Sequence, residues 1–188
     1  MRRSDSSSHP PEPWASFLRA LDQRLEEAVD LHCIGGFAIT MHYGLSRGTA
    51  DIDILKAVPT RQLSNLQELA GKGSELRERF KVYLQPVTMI TYPEDYESRL
   101  IRLWPQFEVE RLRLHVLEAH DLALTKLERN SDVDRQDMLW LARAGLIDGQ
   151  KLRRRYVKEF RPNFVGRVET CDGTLDLWTE MIREERDR

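Results

Sequence analysis

Two aspartates one residue apart, Asp51 and Asp53, are the side chains of this sequence best suited to chemistry. They alternate with Ile52 and Ile54, the period of a β-strand with one buried and one open face. Carboxylates at i and i+2 leave the same side of a strand, close enough to grip one hard cation. Magnesium sites that handle nucleotide phosphates use one or two carboxylates and leave the other positions to water and phosphate oxygens. Upstream, Gly35 and Gly36 follow the apolar run Leu31 to Ile34 and precede a helix-like segment, Phe37 to Tyr43. Residues without Cβ at a strand-to-helix turn let backbone N–H groups approach an anion, and the helix start adds favourable potential. A glycine pair alone is weak evidence. Followed within one helix by the Asp-Ile-Asp strand, it sets a phosphate cradle beside metal ligands.

Arg47, in "SRGTADID", precedes the carboxylate strand in a loop that can fold back over it. Its planar donor fork suits a phosphate or a nucleotide, and equally suits neutralising Asp51 or Asp53. Further on, Leu122, Lys126 and Arg129 share one face if the segment is helical. Lys126 then sits beside an apolar position, where a compact charge could hold a β- or γ-phosphate or lie along the helix edge. Ser131 and Asp134 have N-cap to N3 spacing, so capping is the expected role of Asp134. The stretch Lys151 to Pro162, "KLRRRYVKEFRP", interleaves cations with Tyr156 and Phe160. It reads either as a solvated helix face with its aromatics in the core or as a surface for an RNA acceptor. No zinc-type histidine spacing, G-x-S-x-G or Walker A pattern is present.

A glycine-pair turn followed by a D-x-D strand resembles the polymerase-β-type nucleotidyltransferase superfamily. The subgroup it is most similar to is the AbiEii-like set associated with toxin–antitoxin systems, whose other signal is a D-L-x-x-x-K-L helix before an Arg/Asp-rich helix start. Here that reads "HDLALTKLERNSDVDRQDM", with Asp121, Lys126, Arg129, Asp134, Arg135 and Asp137. The similarity runs from about Leu31 to about Leu141. It implies that Asp51 and Asp53 hold Mg²⁺ or Mn²⁺, that Gly35, Gly36, Arg47 and Lys126 bind the NTP, and that Asp137 belongs to the catalytic set. It further implies an RNA or protein acceptor, a cognate antitoxin-like partner and a toxin-like role. One departure stands out: the superfamily adds a third carboxylate from a later strand, and "KVYLQPVTMIT" has Gln85 there instead. Gln carries no charge and cannot act as a base. Glu108, Glu110 or Asp137 would then supply the third group, or the enzyme is weakened, or the chain is a non-catalytic nucleotide-binding or interaction module on the same fold.

The elements that must position these residues are short. Helical spacing runs from Trp14 to about Val29, from Thr60 to Ala70, from Ser74 to Phe80 and from Pro93 to Leu103. Lys81 to Thr91 is β-rich, with Pro86 arguing for an edge, and Glu110 to Leu117 alternates as a strand. From Glu118 onward the chain reads as helical. This is an α/β (α+β) pattern: a small mixed β-sheet flanked by helices, which the resemblance makes a polymerase-β-like core, with a C-terminal helical extension. The expected division is a disordered leader at 1–13, a nucleotidyltransferase core at 14–117 and a helical extension at 118–188 packed on the core.

The 188 residues suffice for a real core. With 29 Lys and Arg against 31 Asp and Glu, the formal charge is −2, which makes no global case for nucleic-acid binding. Cys33 and Cys171 are too few for a disulfide framework. No apolar run approaches the roughly 18–20 residues that cross a bilayer, and no apolar segment follows the N-terminal Arg pair. A cytoplasmic protein without membrane contact is expected.

Overall fold

Five of the six residues of β1 (Val29–Ile34) are buried, as a central strand between two neighbours requires. The sheet order is β3-β2-β1-β5-β4, with β2 at Asp51–Val58, β3 at Tyr83–Pro86, β4 at Ile101–Arg102 and β5 at Leu112–Val116. β1 runs antiparallel to β2 and parallel to β5, β2 parallel to β3, and β4 antiparallel to β5. The sheet is therefore mixed, as expected, and β3, with Pro86 as its last residue, lies at an edge. Pairing steps from Cys33↔Ile54 to His32↔Lys56, so Leu55 is an extra residue on β2. That bulge moves the buried positions from Ile52 and Ile54 to Ala57.

The computed structural model describes residues 8–187, and positions 1–7 of the expected leader lie outside it. The chain divides into two compact units, residues 8–88 with Leu100–Val116, and Met89–Arg99 with residues 117–187. In the first, α1 (Trp14–Asp22), α2 (Gly35–Met41), α3 (Gln62–Ala70) and α4 (Glu75–Phe80) join the sheet. Phe17, Leu18, Leu21, Phe37, Ile39 and Leu66 are fully buried beside the apolar sheet residues Leu31, Cys33, Ile52 and Ile54. In the second, α5 (Ala119–Leu124), α6 (Asp132–Arg143), α7 (Gly149–Arg155) and α8 (Val168–Arg186) bury Leu122, Met138, Leu141, Tyr156, Phe160 and Trp178. Among the described residues no helix is long and apolar enough to cross a membrane.

Two elements differ from expectation. The first helix stops at Asp22 rather than near Val29. The Asp22 carboxylate accepts the backbone N–H groups of Glu110, Arg111 and Leu112 at 3.0, 2.7 and 2.7 Å, so this residue anchors the start of β5 and the chain turns into β1. The helix expected over Pro93 to Leu103 is instead one 3₁₀ turn, Tyr96–Arg99, followed by β4. Ile101 and Arg102 pair with Val116 and His115, and the Leu103 N–H donates to the Leu114 carbonyl at 2.8 Å. Pairing with a distant strand overrides the local helical spacing.

Candidate active site

β2 presents Asp51 and Asp53 half-buried, while Ile52 and Ile54 between them are buried. Asp51 is held at both oxygens. Thr49 Oγ1 lies 3.2 Å from Oδ1, and the Tyr83 hydroxyl donates to Oδ2 at 3.3 Å. Burial and the Asp51 charge push the Tyr83 phenol above its ordinary value, so it stays a donor. Asp53 is seated differently. A Cβ built on Gly35 would lie 1.9 Å from Asp53 Oδ2, and Gly35 has φ +67°. Only glycine leaves the carboxylate that space.

Gly36 serves the next residue of the site: its Cβ would stand 3.1 Å from Arg47 Nη2 and 3.7 Å from Thr49 Oγ1. The loop that carries Arg47 is tied back by Thr40 Oγ1, which donates to the Arg47 carbonyl at 3.2 Å. Gly35, Gly36, Arg47, Asp51 and Asp53 thus come together at the junction of β1, α2 and β2. Burial pushes the Cys33 thiol up, and the charge of Asp53 adds to the rise, so Cys33 is no thiolate nucleophile. Gly35→Ala is expected to cost about 1–3 kcal/mol, from a left-handed backbone and the displaced carboxylate. A urea melt would measure it, and wild-type stability in that variant would show that Asp53 rearranges freely.

Gln85 stands in register with Asp53, and Tyr83 with Asp51. Gln85 is exposed, and its amide donates to the Pro86 carbonyl at 3.2 Å. The position next to Asp53 on β3 therefore carries an uncharged amide. Tyr83 and Thr49 were not among the expected site residues. Thr49 could have been found in the sequence, two positions before Asp51. Tyr83 could not, because its place follows from how β3 registers on β2.

The remaining expected residues, Lys126 and Asp137, lie in the second unit. α5 ends at Leu124, and Lys126 and Arg129 follow in a turn, so the helical face expected for Leu122, Lys126 and Arg129 is interrupted. Lys126 is 5% exposed, and its Nζ lies 2.9 Å from Asp137 Oδ2 and 3.5 Å from Asp134 Oδ1. Both carboxylates are fully buried. Asp134 completes a capping box with Ser131, its Oδ2 accepting the Ser131 N–H at 3.0 Å and its own N–H reaching Ser131 Oγ at 3.2 Å. Arg129 adds bonds of 2.7 and 2.6 Å to it. Burial alone would raise Asp134; Arg129, Ser131 and Lys126 together bring its pKa to about 2.

In the basic stretch, Tyr156 and Phe160 are buried and stack on each other. Lys151 and Arg155 bind Glu118, Arg153 binds Asp176, and Arg161 binds Asp172. These cations hold the helices together, and the aromatics belong to the core. A network between residues far apart in sequence joins Arg99 to Asp121 at 2.8 and 3.1 Å, and Arg155 to the same carboxylate at 2.8 Å.

A known family matches residues 15–172, spanning both the Asp-Ile-Asp strand and the Lys126–Asp137 segment; its description is nucleotidyltransferase of unknown function (DUF6036). The chain belongs to that family. No curated protein and no solved structure matches it. Within a nucleotidyltransferase, the donor set at β2 suits a hard divalent cation: two carboxylates on one strand face, one held by hydroxyls and the other seated in a glycine notch. Among the described residues no group of three or more His, Cys, Asp or Glu side chains is placed to hold a metal ion, so the protein would offer these two carboxylates. Water and phosphate oxygens would complete such a coordination sphere.

Proposed function

We propose that this nucleotidyltransferase moves a nucleotidyl group from an NTP to an RNA or protein acceptor at the β2 carboxylates. The observation that carries the reading is the seat of Asp53 against Gly35, where the glycine turn and the carboxylate strand require each other. Asp51 and Asp53 would hold Mg²⁺ or Mn²⁺, which when bound neutralises charge on the transferring phosphate. Gly36 and Arg47 would face the phosphates of the NTP, Arg47 as a planar donor fork. An acceptor oxygen forms a bond to the α-phosphorus while the bond from that phosphorus to the bridging oxygen breaks. Pyrophosphate leaves, and the acceptor proton passes to solvent. Lys126 as a ligand of the distal phosphates and Asp137 as the third carboxylate are one linked proposal, because they form a 2.9 Å pair that a phosphate would have to exchange for itself.

The similarity to AbiEii-like proteins supports a toxin-like role in the cytoplasm with an antitoxin-like partner. A second reading, a non-catalytic nucleotide-binding or interaction module, is favoured by the exposed Gln85 beside Asp53. Pyrophosphate release separates the two. Incubation with each labelled NTP, with total RNA or with the protein alone, should release pyrophosphate and label one of them. Nucleotide binding without any release, across all four NTPs, would favour the second reading. Gln85→Asp is expected to raise Mn²⁺ affinity about tenfold by adding a third charge next to Asp53; calorimetry with Mn²⁺ checks it, and unchanged affinity would place position 85 outside the site.

A further inference from the structure

We infer that Tyr83 is a positioning residue that fixes the Asp51 carboxylate for metal binding, an inference that rests on the metal reading of the β2 carboxylates. Asp53 needs no hydroxyl to place it, because the Gly35 notch receives Oδ2. Asp51 has no such notch, and its carboxylate can rotate about its last bond unless both oxygens are held. Two hydroxyls approach them, but not equally. Thr49 Oγ1 stands 3.1 Å from the Asp51 carbonyl and 3.2 Å from its Oδ1. A hydroxyl has one proton, so Thr49 divides it between main chain and side chain. Tyr83 directs its proton to Oδ2.

The fold makes that contact reliable. Tyr83 is the register partner of Asp51 in the parallel β2–β3 ladder, and its N–H donates to the Ala50 carbonyl at 3.1 Å. Phenol and carboxylate therefore stand side by side on one sheet face. Each carboxylate oxygen has two lone pairs. One bond from Thr49 and one from Tyr83 leave a lone pair on each oxygen for a cation, so the hydroxyls orient Asp51 without occupying its metal-binding capacity. Neighbours that hydrogen-bond a ligating carboxylate raise metal affinity about 10–100-fold. β3 thus contributes to the site without a carboxylate of its own: through Tyr83 it orders the first aspartate, while Gln85 stands beside the second.

Mn²⁺ binding to the full chain, without nucleotide, tests this by electron paramagnetic resonance of the free ion. Tyr83→Phe keeps the ring and removes the hydroxyl, and is expected to bind Mn²⁺ about tenfold more weakly than wild type at an unchanged melting temperature. Asp51→Asn serves as the reference for loss of the ligand itself. If wild type binds Mn²⁺, Asp51→Asn weakens it and Tyr83→Phe does not, the positioning role is wrong while the metal reading stands. If wild type binds no Mn²⁺, or Asp51→Asn binds it as tightly, the metal reading falls and takes the role of Tyr83 with it. A Tyr83→Phe protein that binds weakly only because it melts lower would also overturn the role.

Discussion

Asp53→Asn is expected to cut NTP-dependent pyrophosphate release by about a thousandfold or more while the protein stays folded. Asn fits the Gly35 notch in shape, so the packing at the start of α2 is kept. What it loses is the charge. Charge stabilisation by a bound cation is worth several kcal/mol in the transition state, and roughly 4 kcal/mol corresponds to a thousandfold in rate. Asp51→Asn should act in the same direction; its single carbonyl oxygen can accept from only one of Thr49 and Tyr83, because an NH2 group replaces the other oxygen. Removing one of two neighbouring carboxylates relieves their repulsion, so the melting temperature should hold or rise. Release assays and thermal melts on the same preparations check both halves. Full activity in either variant would move the cation away from β2; loss of activity with loss of fold would make the aspartate a structural residue.

How much of this was legible follows from how local each feature is. Asp51 and Asp53 on one strand face, the glycine turn before α2 and the loop bearing Arg47 lie within about twenty residues of one another. Period-2 alternation and missing Cβ atoms suffice to place them. Pro86 marks an edge strand for a reason contained in its own backbone, and Ser131 with Asp134 forms a capping box because its geometry spans one helical turn. Asp in place of Glu at N3 still closes the reciprocal bond, at 3.0 Å.

The features that escaped were set by partners far away in sequence. Residues 93–103 have helical spacing, yet the free edge of β5 draws Ile101 and Arg102 into a strand. Asp22 looks like one more polar position at a helix end, but it collects three N–H groups nearly ninety residues on. Tyr83 gains its role only from the register of β3 on β2. The spacing of Leu122, Lys126 and Arg129 suits a continuous helical face, yet α5 ends two residues before Lys126. The turn that follows brings its ammonium to Asp137 and Asp134, which no periodicity could reveal.

Lys126→Met is expected to destabilise the protein by about 3–5 kcal/mol, the range for removing one partner of a buried ion pair. The variant keeps most of the apolar stem of lysine and removes the ammonium with its charge and its donors. Asp137 is fully buried with Lys126 Nζ at 2.9 Å, and without that ammonium a buried carboxylate must ionise in poorer surroundings or take up a proton. Asp134 keeps Arg129 and Ser131 and should suffer less. Its pKa of about 2 lies below the unfolded value, so its contribution is present above the ordinary carboxylate range and is lost as pH falls toward 2. Losing Lys126 should move the Asp134 carboxyl back toward its ordinary range, so the stability gap between variant and wild type should narrow as pH falls. A framework pair predicts that Lys126→Met with Asp137→Leu recovers much of the loss, since the charge left behind is then gone. A phosphate ligand predicts something else: stability near wild type, with NTP affinity falling more than NMP affinity. Urea melts of the single and double variants, beside calorimetry with ATP and AMP, distinguish the two. Destabilisation without recovery in the double variant would show that Lys126 serves the fold through contacts other than Asp137.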